Sequence, residues 1–168
     1  SLDVDAEEQT DSNYKSRIDA ILINLISNYD AEELEELFEK VKGHTLEFAV
    51  ILAAFYGLRR AEVVGLKWSA VDFNKKTFSI KHTVMEVNVD GKIKLIPKDS
   101  AKTKSSCRTL PMVEPFEQLL LRMKEEQEYN RKLCGNSYCK DYLDYVYVNQ
   151  IGELVKPGYI TKCFPEFL

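Results

Sequence analysis

The strongest constraint on the fold is an apolar segment, residues 46–56, which contains almost no polar position after Glu47. A helix that is apolar on all sides belongs in the interior of a domain. Gly57 can take the left-handed backbone conformation that often ends a helix, and Arg59 follows two residues later. The sequence therefore predicts a buried central helix with an arginine just beyond its C-terminal end.

An arginine at the end of a buried helix is suited to bind phosphate. Its guanidinium group does not lose its charge, and its planar donors can make parallel hydrogen bonds to phosphate oxygens. A solvated or helix-capping arginine is the alternative, and it is the usual role of a surface arginine. The residues around Arg59 must therefore decide between these two interpretations.

The chain has 168 residues, 45% of them apolar, which is typical of one folded domain. It contains no uncharged apolar run of about 18 residues, so no membrane span is predicted. Its N-terminus lacks both Met and the basic region of a signal peptide, so we expect a piece of a longer cytoplasmic protein. Four cysteines are too sparse for a disulfide framework, and they predict neither a zinc site nor any other cofactor.

The charge is distributed unevenly along the chain. Residues 1–42 carry 12 acidic and four basic side chains, whereas the net charge of the whole chain is −4. Residues 92–108 contain six basic side chains and one acidic side chain. Such clustering is what phosphate binding requires, whatever the total charge.

Apolar spacing predicts mainly helices around a small sheet. Helical periodicity marks residues 13–26, 31–41, 46–56, 60–66 and 115–133, and a last helix follows Pro157. Alternating β-branched residues predict strands at 77–80, 83–89, 92–96, 108–112 and 145–148, with a hairpin turn at Asp90-Gly91. This order predicts an α+β, mostly helical domain over residues 29–168. Residues 1–28 are predicted to form an acidic tail with a short helix.

Residues 57–73 carry a more specific signal. They resemble the first signature box of the tyrosine recombinases, the phage-integrase family, which reads roughly Gly-Leu-Arg-x-x-Glu-(apolar)-x-x-Leu-x-Trp-x-x-(apolar)-Asp. The matching positions are Gly57, Leu58, Arg59, Glu62, Val63, Leu66, Trp68, Val71 and Asp72. The resemblance implies that residues 29–168 form the N-terminal two thirds of an integrase catalytic domain, with a small antiparallel three-stranded sheet.

By this resemblance Arg59 is the first catalytic arginine, which grips a non-bridging oxygen of the scissile phosphate. Preorganised positive charge stabilises the charge that grows at phosphorus in the transition state. Glu62 lies on the same side of the predicted helix and would hold Arg59 in one rotamer, although an ordinary surface glutamate is the alternative. Arg60 points elsewhere and would touch flanking DNA backbone or solvent.

Residues 101–112 resemble the family's Lys-Thr-x-x-Ser-x-Arg-x-(apolar)-Pro hairpin. In the family the hairpin lysine is a general acid that protonates the departing 5′ oxygen, and Lys102 matches it. Lys104 competes for this role, and a solvated basic loop is the alternative. Further contacts with the DNA backbone are predicted for Lys94, Lys98, Lys104, Ser106 and Arg108. By contrast, His44, His82 and Trp68 are predicted to be structural.

The chain has no His-x-x-Arg motif, and none of its nine tyrosines lies in the context of the family's nucleophile. We therefore expect these residues alone not to cleave DNA. The implied parent is a phage or mobile-element integrase that recombines double-stranded DNA through a 3′-phosphotyrosyl intermediate, as a synaptic tetramer. A topoisomerase is a close alternative. A non-catalytic DNA-binding or regulatory module on the same scaffold is a further one, and an interaction domain with a solvated hairpin ranks last.

Overall fold

The computed structural model describes residues 26–99 and 107–167. The helices in this part of the chain are α1 (Ala31–Val41), α2 (Glu47–Tyr56), α3 (Arg60–Val64), α4 (Glu114–Cys134) and α5 (Pro157–Cys163). The strands are β1 (Val71–Asp72), β2 (Thr77–Ile80), β3 (His82–Val89), β4 (Lys92–Asp99) and β5 (Arg108–Pro111). Most of the helix predicted at residues 13–26 lies outside the described residues, so the predicted boundary at residue 28 stays a prediction.

Helix α2 is the centre of the domain, as its composition predicts. All of its residues from Glu47 to Ala53 are buried. Aromatic rings continue this core, because Phe78 on β2 and Phe116 on α4 lie 4.9 Å apart between ring centroids. Both rings are fully buried, and each contributes roughly 1.5–3 kcal/mol of hydrophobic stabilisation. The core thus joins α2, the sheet and α4 into one unit.

Local signals place the helix ends. Asp30 and Glu33 form the predicted capping box at the start of α1, with side-chain to backbone hydrogen bonds of 2.9 and 3.0 Å. Gly57 has a φ of 60° and donates its N–H to the carbonyl of Ala53 at 3.0 Å. Because this left-handed turn stops α2, the chain changes direction there: Leu58 stays in the core and Arg59 reaches the surface.

The strands form two separate antiparallel units. β1, β2 and β5 make a three-stranded sheet in the order β1-β2-β5, and β3 pairs with β4 in a long hairpin. Asp90 and Gly91 both have positive φ, 53° and 76°, as a two-residue type I′ turn requires. The predicted mixture of helices with a small antiparallel sheet is confirmed.

The strand predicted at residues 145–148 is wrong. This segment makes only isolated bridges, one between Lys67 and Tyr145 and one between Val148 and Leu154. Its other backbone partners are single contacts; for example, Val146 donates its N–H to the carbonyl of Leu66 at 3.1 Å and accepts from the amide of Gln127 at 2.7 Å. A short apolar run does not by itself distinguish a strand from a buried loop.

Trp68 packs partly buried against the core, and its indole N–H donates to Gln127 Oε1 at 2.9 Å. It therefore contributes to the core, as the sequence predicts. No helix among the described residues is long and apolar enough to cross a membrane.

Candidate active site

Arg59 lies at the junction of α2 and α3, where its backbone is extended with φ −73° and ψ 149°. The side chain is exposed, whereas Leu58 beside it is buried in the core. Within the described part of the chain, no hydrogen bond or ion pair engages its guanidinium group. The fold therefore presents a cation at the surface from a backbone that is anchored in the core.

Glu62 holds Arg59 through the backbone. Its Oε2 accepts the N–H of Arg59 at 2.9 Å, which is half of a capping box at the start of α3. The sequence predicts a contact with the guanidinium group instead. The spacing of three residues fits both arrangements, and the extended backbone at Arg59 brings its N–H within reach of the carboxylate.

Arg108 binds the same carboxylate. Its Nη1 donates to Glu62 Oε1 at 3.0 Å, and its Nη2 donates to Glu62 Oε2 at 3.1 Å. The side chain of Glu62 is 14% exposed and that of Arg108 is 37% exposed. The structure therefore uses the fork of Arg108 within the protein, although the sequence predicts a DNA contact for this residue.

Arg60 also has a partner in the protein. Its Nη1 donates to Thr161 Oγ1 at 2.7 Å, which ties α3 to α5. Three residues of this junction thus differ in role: Arg59 is presented outward, while Arg60 and Glu62 attach the short helix α3 to the rest of the domain.

A row of lysines follows one face of β4. Lys92, Lys94 and Lys98 are exposed and lie an even number of residues apart, so they share one face of the hairpin. Neighbours two residues apart on a strand are separated by about 7 Å. Lys102, Lys104 and Ser106 lie outside the described residues. This surface has the sign of charge that a phosphate backbone attracts.

The base of the β3–β4 hairpin holds a cluster that the sequence interpretation missed. His82 Nδ1 donates to Asp99 Oδ1 at 2.7 Å, and its Nε2 lies 2.8 Å from the hydroxyl of Tyr145. The hydrogen bond from His82 lowers the pKa of Asp99, and burial raises the pKa of Tyr145. The hairpin turn is the signal that could have found the pair, because it sets His82 opposite Asp99. His82 is thus structural, as predicted.

This cluster predicts an acid-sensitive contribution to stability. Because the pKa of Asp99 is lowered in the folded state, the contribution is present above the ordinary value of about 3.9 and is lost as pH falls through the lowered value. We expect Asp99→Asn to lower Tm modestly at pH 6, and the difference from the wild type to disappear near pH 2. Thermal unfolding followed by circular dichroism measures this. Asp90→Asn in the hairpin turn is the control, and a difference that persists near pH 2 would contradict the assignment.

The described residues contain no group of three or more His, Cys, Asp or Glu side chains that could hold a metal ion. The groups of this site that suit a phosphodiester are its cations. The exposed guanidinium group of Arg59 and the row of lysines on β4 can each bind phosphodiester oxygens.

An exposed arginine after a buried central helix, in a mainly helical domain with a small sheet, is the arrangement that the resemblance to tyrosine recombinases implies. No protein-family model matches the chain. Over 149 residues it is 29% identical to the tyrosine recombinase XerC-like protein of Caldanaerobacter subterraneus subsp. tengcongensis, and the match covers 85% of this chain and 38% of the relative. In sequence the chain is therefore similar to a tyrosine recombinase over most of its length.

Solved structures show the same fold. The Tn1549 transposon integrase in complex with a circular intermediate DNA matches with a TM-score of 0.62 and 18% identity, over 83% of this chain and 43% of the integrase. The same integrase in complex with transposon right end DNA matches with a TM-score of 0.59 and 18% identity, over 76% and 39% of the two chains. The chain thus spans less than half of the length of the relatives it matches.

Proposed function

We propose that the full-length protein carries out site-specific DNA recombination on a phage or other mobile element by breaking and rejoining DNA. The observation that carries this proposal is Arg59, an exposed guanidinium group without a partner in the described part of the chain. Its backbone is held by Glu62 and by the buried neighbour Leu58. Such a group can bind the scissile phosphate without breaking a contact in the described part of the chain, and its planar donors match phosphate oxygens.

The proposed chemistry conserves the phosphodiester energy. A tyrosine of the full-length protein attacks the scissile phosphorus, so that a 3′-phosphotyrosyl bond forms as the bond to the 5′ oxygen breaks. Arg59 stabilises the negative charge that grows on the non-bridging oxygens. Lys102 protonates the departing 5′ oxygen as a general acid. Because the energy stays in the covalent link, rejoining requires no nucleotide.

We propose that the full-length protein acts in the cytoplasm and associates into a synaptic tetramer on DNA. Double-stranded DNA is its proposed partner. The row of lysines on β4 supports DNA as the partner. The Tn1549 integrase, which shares this fold, is in complex with DNA in its solved structures. The shared fold makes the same substrate class the natural one for this chain.

Duplex binding by the chain is expected to be weak and steeply dependent on salt, because each phosphate contact releases counterions. Replacing Lys94, Lys98, Lys102 and Lys104 together by Gln should lower the slope of log affinity against log salt by up to about 0.9 per lost contact. Fluorescence anisotropy measures this. The control variant replaces Lys40, Lys75, Lys132 and Lys140 by Gln and changes the net charge equally. Equal loss in both variants would show that the hairpin is not the DNA surface.

Residues 1–168 alone are expected to form no covalent adduct with a suicide DNA substrate, because none of their tyrosines lies in the context of the nucleophile. The full-length protein should form one, and a denaturing gel resolves it. An adduct with residues 1–168 would show that one of the nine tyrosines is reactive. DNA binding without any adduct from the full-length protein would favour a non-catalytic DNA-binding or regulatory module on this scaffold.

A further inference from the structure

We propose that Arg108 is a positioning residue for Arg59, acting through Glu62, and that it is not a contact to DNA. The proposal rests on the proposed function, in which Arg59 binds the scissile phosphate. It adds to that function how strand β5, through Arg108 and Glu62, holds the backbone at Arg59.

The carboxylate of Glu62 joins Arg108 to the backbone of Arg59. Both Oε atoms of Glu62 accept from Arg108, at 3.0 and 3.1 Å, and Oε2 also accepts the N–H of Arg59 at 2.9 Å. Paired donors in one plane fix the rotation of a carboxylate as well as its position. The orientation of Glu62 that receives the Arg59 N–H is therefore the orientation that Arg108 imposes.

Arg108 and Glu62 stand on elements of different kinds, a strand of the sheet and a short helix. Arg108 begins β5, where it pairs in register with Ile80 of β2, and Ile80 is buried in the core. Glu62 stands on a helix of five residues, which is too short to be stable by itself. A strand paired with the core strand β2 thus holds Arg108, and the ion pair attaches the short helix α3 and the Arg59 junction to this strand.

The guanidinium group of Arg108 is already engaged within the protein. Its Nη1 and Nη2 both face the oxygens of Glu62, so a phosphate could take this paired face of the guanidinium only by displacing the carboxylate. Because Glu62 is largely buried, withdrawing Arg108 toward DNA would leave a carboxylate with only a backbone N–H as partner, and such a charge is costly to bury. Contact with DNA would therefore work against the arrangement that holds Arg59.

The chain offers a matched control. Arg122 donates to Glu47 Oε2 at 2.5 Å, and the two side chains are 42% and 12% exposed, against 37% and 14% for Arg108 and Glu62. Arg122→Met therefore removes the same kind of ion pair from the other end of α2. Arg108→Met should differ from it in every measurement that reports on Arg59.

The first measurement is hydrogen exchange of backbone amides in this chain by NMR. Arg108→Met should raise the exchange rate of the Arg59 amide about tenfold or more, since its acceptor is no longer held, while the amides of α2 stay protected. Arg122→Met should leave the Arg59 amide unchanged. No change in the Arg108 variant would overturn the proposal, and this outcome does not depend on whether the protein cleaves DNA.

The second measurement separates binding from cleavage in the full-length protein. Arg108→Met should lower the single-turnover cleavage rate by roughly 10- to 100-fold, as misplacement of a catalytic group does, and leave the salt slope of binding unchanged. A salt slope lower by about 0.9 with an unchanged cleavage rate would identify Arg108 as a phosphate contact and overturn the proposal. A wild-type protein that cleaves no substrate would instead refute the proposed function.

The third measurement is a charge exchange, Glu62→Arg with Arg108→Glu. This pair can restore an ion pair between β5 and α3, but it places no acceptor at the N–H of Arg59. We expect the exchange to recover the thermal stability lost in Arg108→Glu and not the cleavage rate. Recovery of the cleavage rate together with the thermal stability would show that the ion pair has only a structural role. Positioning of Arg59 by Glu62 would then be excluded.

Discussion

Arg59→Lys is expected to lower the cleavage rate of the full-length protein by about 10²–10³-fold, with the fold and the affinity for the DNA site nearly unchanged. Lysine keeps the charge but offers a point cation where a planar fork is needed. The side chain is exposed, so the exchange removes no core packing. Single-turnover cleavage, with binding measured separately, tests this expectation.

Lys102→Ala provides the contrast that assigns the two roles. A better leaving group makes a general acid unnecessary. The negative charge on the phosphoryl oxygens must still be stabilised. A substrate with sulfur at the 5′ bridging position should therefore rescue Lys102→Ala and not Arg59→Lys. Rescue of both variants, or of neither, would show that the roles are wrongly assigned. Lys104→Ala on the same substrate decides between the two candidate lysines.

Gly65→Ala is expected to destabilise the domain by about 3 kcal/mol or more, because it forces backbone segments apart. A Cβ at this position would lie 2.4 Å from the carbonyl oxygen of His82 and 2.7 Å from the Cα of Thr83. Neither atom can rotate away, since both belong to the backbone of β3. The free energy of unfolding from guanidinium denaturation measures the effect.

Gly43→Asn is the control for this substitution. Gly43 has a φ of 75° and nothing within 4 Å of an added Cβ, and Asn tolerates the left-handed conformation. Its effect should stay within about 1 kcal/mol. Equal stability of Gly65→Ala and the wild type would mean that α3 and β3 do not approach as closely as the structure shows.

The parts of the fold that could be predicted depend on neighbours along the chain. The capping box of Asp30 and Glu33, the end of α2 at Gly57 and the hairpin turn at Asp90-Gly91 each follow from a few consecutive residues. The prediction for residues 145–148 is wrong because this segment makes only isolated bridges, to Lys67 and Leu154, while Gln127 on α4 binds the carbonyl of Val146. An apolar run does not reveal such distant partners.

The candidate site divides in the same way. Arg59 could be found from its position after the buried helix and from the signature box around it. Its contact with Glu62 agrees with a spacing of three residues, but the choice of backbone over side chain depends on the φ and ψ of the junction. Gly65 occupies an unassigned position of the box, and only the approach of β3 explains why a side chain does not fit there.

The sequence by itself determined the central helix, the hairpin, the mixed helix and sheet class and the exposed arginine at the helix end, because periodicity, capping and turn chemistry act over short separations. Only the tertiary structure decided which partner each charged group takes. Arg108 and Glu62 are 46 residues apart, and charge alone would let either side chain bind solvent, DNA or another residue. Their meeting requires β5 to pair with β2 and α3 to pack beside them, and that placement depends on how the whole core is buried.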